Sequence, residues 1–146
     1  MDFLALPERS TKPREAGLTH LLDKGLGPAQ VADLLATAAA YIDIVKLGWG
    51  TAYVTESLTQ KIDLYHGVGI PVCLGGTLLE LALRQNRLEE YLRATRALGL
   101  RHIEVSDGTV SMQEEDKLAL IRRLAKEFTV LSEVGSKDPN VALTPS

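Results

Sequence analysis

Tyr41-Ile42-Asp43-Ile44-Val45-Lys46-Leu47-Gly48-Trp49-Gly50-Thr51 joins a β-branched apolar run to a lysine, and then to a loop holding two glycines, a tryptophan and a threonine. The run reads as a strand and the loop as its carboxyl end. Strands of a parallel sheet point their carboxyl ends the same way, so polar residues placed just beyond each run converge on one face. The rest of the chain repeats this arrangement.

Leu18-Thr19-His20-Leu21-Leu22 is the first candidate strand, running into Asp23-Lys24-Gly25, and Gly27-Pro28 opens a helix with proline at its favoured first position. Val31, Leu34, Leu35, Ala38 and Ala39 then form one apolar stripe at helical spacing. The second strand covers 41–46. Ser57-Leu58-Thr59-Gln60 has capping-box spacing before a helix whose buried side is Leu58, Ile62 and Tyr65. Ile70-Pro71-Val72-Cys73-Leu74 is the third strand and ends in Gly75-Gly76-Thr77. Residues 78–98 follow as a helix broken near Asn86 and stopped at Gly99. His102-Ile103-Glu104-Val105-Ser106 is the fourth strand. Ser111-Met112-Gln113-Glu114 is a second capping box, and Thr129 to Gly135 is the fifth strand with the start of its loop.

These are strand-then-helix units spaced roughly 25 to 30 residues apart, as in βαβ repeats. A closed barrel of this type needs eight strands and roughly 250 residues. The 146 residues here specify an α/β fold: an incomplete (β/α)8 TIM-type barrel of about five parallel strands with intervening helices. Three arrangements satisfy that count: the first part of a longer barrel protein, an open sheet, or copies that assemble to cover the sheet edges. Residues 1–17, with Pro7, Pro13 and mixed charges, read as a partly disordered leader. Residues 18–138 are the partial barrel, and 139–146 a short tail.

Composition narrows the function. With 45% hydrophobic and 24% charged residues, the chain has material for one core, and its net charge of -3 gives no general attraction to nucleic acid or an anionic membrane. No apolar run reaches membrane-spanning length. A single cysteine, Cys73, excludes an internal disulfide framework and suits a reducing, cytoplasmic setting.

The loops carry the chemistry. Asp23-Lys24-Gly25, Lys46 to Thr51, Gly75-Gly76-Thr77, Glu104 to Thr109 and Glu133 to Lys137 each place glycine beside a hydroxyl or a charge. Within a strand, alternate residues share a face, so Glu104 and Ser106 point to one side. Glu104, Asp107 and Glu133 can hold a hard divalent cation such as magnesium. Lys24, Lys46 and Lys137 can neutralise a phosphate, and Gly75-Gly76-Thr77, at a strand-to-helix turn, offers it backbone donors.

Each feature also has an ordinary structural reading. A glycine pair is commonly a tight turn, and so is Asp107-Gly108. Lys24 and Glu104 are candidates for a structural ion pair, and Trp49 serves equally as a packing anchor or a ligand contact. His20 and His102 lie at the wrong ends of their strands for catalysis. Cys73 reads as a core residue. Asp43, Asp63, Glu89 and Glu90 read as surface or packing residues.

The strings Leu22-Asp23-Lys24-Gly25-Leu26, Tyr41-Ile42-Asp43 through Lys46, Gly48-Trp49-Gly50-Thr51, Gly75-Gly76-Thr77-Leu78, Glu104-Val105-Ser106-Asp107-Gly108 and Glu133-Val134-Gly135 resemble, in order and spacing, the phosphosulfolactate synthase family of coenzyme M biosynthesis. The resemblance covers residues 18–138. It implies an incomplete barrel and a magnesium-dependent addition of sulfite to phosphoenolpyruvate. Carried over by position, it places Glu104, Asp107 and Glu133 at the metal or its water shell, and Lys46 and Lys24 at the substrate's phosphate and carboxylate. Lys137 becomes the candidate proton donor, with Gly75, Gly76, Thr77 and Ser106 contacting oxyanions. A homo-oligomer is expected. The alternatives are a non-catalytic or stress-related relative of the same fold, or another phosphate-handling barrel enzyme such as an aldolase.

Overall fold

The computed structural model describes residues 3–5 and 7–135. Five strands, β1 (His20–Asp23), β2 (Ile44–Leu47), β3 (Val72–Leu74), β4 (His102–Val105) and β5 (Thr129–Ser132), form one sheet in sequential order. Every neighbouring pair is parallel. Six helices connect them: α1 (Pro28–Ala38), α2 (Thr51–Val54), α3 (Leu58–Gly67), α4 (Gly76–Arg84), α5 (Leu88–Ala97) and α6 (Glu114–Leu124). The result is an α/β architecture with the strand order of part of a barrel.

One side of the sheet carries the core. Val45, Leu47, Val72, Leu74, Ile103 and Val105 pack there with Ile62, Tyr65, Leu79, Leu92 and Leu124 from the helices. The other face is set by the register, in which Leu22 lies beside Lys46, Lys46 beside Cys73, and Cys73 beside His102. Side chains in register on parallel strands share a side, so this face brings Lys46 into line with polar residues of later strands.

Most elements lie where the pattern predicts, with local differences. The second strand begins at Ile44, because Ala39–Tyr41 continues α1 as a 3-10 turn. Neither hydroxyl capping box forms. Ser57 caps α3 without a side-chain hydrogen bond, and Gln113, not Ser111, is the cap of α6. The reciprocal bond occurs instead at α1, where Gln30 accepts from the Gly27 N–H at 2.9 Å. The break near Asn86 is real: its φ of 55° separates α4 from α5.

The segment before β1 is tied to the amino ends of the strands. Arg9, Lys12 and Arg14 donate to the carbonyls of Tyr41, Ala39 and Ala40, the end of the α1 extension, where cations are favoured. Asp43, read from sequence as a surface or packing residue, is the acid of this contact. It pairs with Arg14 at 2.6 Å and accepts the Thr19 N–H at 2.8 Å.

Candidate functional site

β2, β4 and β5 each present one charged side chain at the same rim. Lys46 Nζ lies 2.8 Å from Glu104 Oε2 and 2.9 Å from Glu133 Oε2. Burial works against the ammonium's charge, but the hydrogen bonds it donates to the two carboxylates outweigh that and hold Lys46 above its ordinary pKa. Lys46 is therefore a fixed positive charge at neutral pH.

The third wall is the β3–α4 turn. Gly76 N–H donates to Glu104 Oε1 at 2.8 Å, so the glycine pair that sequence reads as an oxyanion cradle here receives a protein carboxylate. A Cβ on Gly76 would overlap the Ser106 hydroxyl and come within 3.1 Å of Glu104 Oε1. A cavity of about 130 Å³ opens among Lys46, Glu104, Glu133, Gly75, Gly76, Thr77 and Trp49. That is room for several waters at roughly 30 Å³ each. A larger hollow of about 710 Å³ lies at the opposite end, bounded by Arg14, Asp43 and His102. It is remote from the charged cluster and from the carboxyl ends where parallel sheets bind ligands.

Three residues that sequence reasoning passed over hold these loops. Glu80 on α4 is fully buried and accepts from the Ser106 hydroxyl, the Thr109 hydroxyl, and the N–H groups of Thr109 and Val110, both at 2.7 Å. Lys117 on α6 donates to Asp107 and to the Glu133 carbonyl, each at 2.7 Å, tying the β4 loop to the β5 loop. Lys61 on α3 meets Asp23 at 3.1 Å, with both side chains sealed from solvent. Helical spacing signalled two of these in advance, since Lys61 shares a face with Leu58 and Tyr65, and Lys117 with Ile121 and Leu124.

The loop after β2 is held in an unusual shape. Trp49 has φ 53° and ψ 32°, a left-handed conformation that costs a non-glycine residue about 1–2 kcal/mol. It persists because the backbone around it is fixed. Gly75 N–H donates to Leu47 O at 2.9 Å, and the Thr51 hydroxyl donates to Gly48 O at 2.8 Å. A Cβ on Gly75 would approach Leu47 O to 3.0 Å, so the two loops touch backbone to backbone.

The predicted site residues divide accordingly. Lys46, Glu104, Glu133, Gly75, Gly76, Thr77 and Trp49 come together. Trp49 is 62% exposed and is not a packing anchor. Lys24 is not the partner of Glu104; its ammonium lies 5.1 Å above the Trp49 ring centroid. Asp107 faces Lys117, and the buried Ser106 hydroxyl donates to Glu80 rather than lining the cavity. Lys137 lies outside the described residues. Cys73 is fully buried, and burial first, then Glu104, pushes its thiol up to about 12, which removes it as a nucleophile.

Among the described residues, no group of three or more histidine, cysteine, aspartate or glutamate side chains could hold a metal ion. Glu104 and Glu133 do converge on a common cation position, the one taken by the Lys46 ammonium. Magnesium is commonly held by one or two carboxylates together with substrate oxygens and water, so this pair fits it, and Asp107 as oriented does not join. No helix among the described residues is long and apolar enough to cross a membrane.

Sequential parallel strands with glycine turns, a lysine and two glutamates at their carboxyl rim define a barrel-type α/β protein with a charged cavity at that rim. The comparisons agree. A family model described as (2R)-phospho-3-sulfolactate synthase (ComA) matches residues 7–146, and the chain belongs to that family. It is 44% identical over 141 residues to the phosphosulfolactate synthase of Methanothermobacter thermautotrophicus, covering 94% of this chain and 54% of the relative. It is 43% identical to those of Bacillus subtilis, over 97% of the chain and 56% of the relative, and of Methanocaldococcus jannaschii, over 86% and 51%. The chain thus spans about half the length of the curated relatives it matches.

Proposed function

We propose that this chain carries one wall of a phosphosulfolactate synthase-type site, which adds sulfite to phosphoenolpyruvate to give (2R)-phospho-3-sulfolactate with magnesium. The observation that carries the reading is the Lys46 ammonium clasped between Glu104 and Glu133 at the carboxyl ends of three strands. In the reaction, the sulfur lone pair of sulfite forms a bond to the methylene carbon. The double-bond electron pair moves onto the adjacent carbon and its carboxylate, giving an enolate-like dianion. A proton then closes the sequence at that adjacent carbon, and the phosphate stays attached.

Charge is the difficulty this site has to solve. Lys46, held protonated, faces the developing carboxylate charge without reorganising, which is where electrostatic catalysis is largest. Because its pKa is raised, it stabilises charge and another group delivers the proton; Lys137 is the candidate. A phosphorylated acid brings further negative charge up to two carboxylates, and so calls for further cations. Magnesium held by Glu104, Glu133 and substrate oxygens would supply two charges and polarise the substrate carboxylate. Lys24, one residue beyond β1, is a further candidate for the phosphate.

A lysine that forms a Schiff base needs a lowered pKa, so the raised value at Lys46 disfavours an aldolase at this position. The test is product formation from phosphoenolpyruvate, sulfite and magnesium, followed by phosphorus and proton NMR. Lys46→Met and Glu104→Gln should each lower turnover by about a hundredfold or more. Turnover unchanged in both, or neither turnover nor phosphoenolpyruvate binding in the unaltered chain, would refute the reading.

A further inference from the structure

We infer that the Asp107–Lys117 ion pair is a buckle that positions Glu133 against Lys46, and that Asp107 serves the rim in this way and does not ligate its metal. The inference deepens the proposed function and rests on that reading for the metal alone.

Three observations carry it. First, Asp107 is turned to the helices. Its carboxylate meets the Lys117 ammonium of α6 at 2.7 Å, while the carboxylates that border the Lys46 cavity are Glu104 and Glu133. The loop around Asp107 is held from a second helix as well. Glu80 of α4 accepts from the Ser106 hydroxyl before it, and from the N–H groups of Thr109 and Val110 after it.

Second, Lys117 needs the acid where it is. The residue is only 9% exposed, and its ammonium donates to Asp107 Oδ1 and to the Glu133 carbonyl, each at 2.7 Å. An ammonium at that depth is costly without a counter-charge. Asp107 therefore cannot leave for a cation between Glu104 and Glu133 without stranding Lys117.

Third, the buckle grips the backbone of a residue in the site. Glu133 N–H donates to Val105 O at 3.0 Å and its carbonyl accepts from Lys117, so both of its main-chain groups are pinned. The next residue, Val134, is 88% exposed, which makes Glu133 the point where the chain leaves the sheet. Pinned there, it reaches Lys46 at 2.9 Å. Lys117 thus does for Glu133 what the Gly76 N–H does for Glu104. Catalytic groups tolerate little misplacement, so a tie of this kind acts on the chemistry without touching substrate.

The test reads the Lys46 ammonium signal by NMR in the chain without metal, identified by its loss in Lys46→Met. Asp107→Leu/Lys117→Met removes the pair and leaves the net charge unchanged. Its Lys46 signal should move toward that of exposed lysines, and Asp107→Ala should move it the same way if the double variant does not fold. Asp107→Asn still offers Lys117 an oxygen, so it should hold the signal. It should also keep magnesium affinity by calorimetry within about threefold, where loss of a ligating carboxylate would cost on the order of tenfold or more. A Lys46 signal unmoved in the folded variants, with only the urea midpoint lowered, makes the pair a simple stabiliser and overturns the inference. So does a tenfold loss of magnesium affinity in Asp107→Asn with the Lys46 signal in place. Failure of the unaltered chain to bind magnesium overturns the proposed metal site instead, and the Lys46 signal still decides the buckle.

Discussion

Replacing Lys61 by methionine tests whether the end of β1 is held by a dehydrated ion pair. The ammonium is 3.1 Å from Asp23 Oδ2, and side-chain exposures are 1% for Lys61 and 0% for Asp23. Breaking such a pair by removing one partner costs about 3–5 kcal/mol, because the other charge stays buried. Here the carboxylate keeps three donors, the Tyr65 hydroxyl at 3.1 Å and the N–H groups of Gly25 and Leu26 at 2.8 Å. Lys61→Met should therefore fall at the low end, about 3 kcal/mol.

Asp23→Leu should cost more, near 5 kcal/mol by the same range, since it leaves a buried ammonium and also orphans those three donors. The double variant removes both charges and leaves only the donors unmet, so it should be more stable than Asp23→Leu alone. Urea unfolding followed by circular dichroism measures all three as shifts in midpoint at constant slope. A loss below about 1 kcal/mol in Lys61→Met would place the pair in solvent and refute the reasoning. Against a typical stability of about 5–15 kcal/mol, a 3 kcal/mol effect is readily measured.

Gly76→Ala puts a methyl against Ser106 and 3.1 Å from Glu104 Oε1, so it should destabilise by about 1–3 kcal/mol and displace Glu104 from Lys46, seen as a shift in the Lys46 side-chain NMR signal. At Glu80, burial raises the pKa but the donors from Ser106, Thr109 and Val110 outweigh it, leaving the group below its usual 4.5. Its contribution is complete above that value and is lost as pH falls through the lower folded value. The unaltered chain should therefore lose more stability between pH 5 and 3, on the order of RT-scale linkage per group, than Glu80→Gln does. His20 and His102 are both lowered from 6.5, chiefly by burial. A base held neutral in the fold stabilises fully above 6.5 and loses that contribution as pH drops below it, so their imidazole NMR signals should titrate below the usual midpoint while unfolding free energy declines.

The strand and helix order was legible because apolar periodicity is a local property. Val31, Leu34 and Leu35 mark α1, and Ile103 and Val105 mark β4, whatever surrounds them. The common rim was legible for a related reason. Once strands run parallel, Lys46, Glu104 and Glu133 emerge at one end, where the structure pairs them. Which polar group meets which was not. Glu104 rather than a ligand fills the Gly76 turn, Asp107 turns to Lys117, Ser106 turns to Glu80, and Lys24 rests on Trp49. Those choices are made between residues 10 to 28 positions apart, under burial that makes every unpaired donor or charge costly. Pairing of that kind depends on distances in space, and the order of residues along the chain does not contain them.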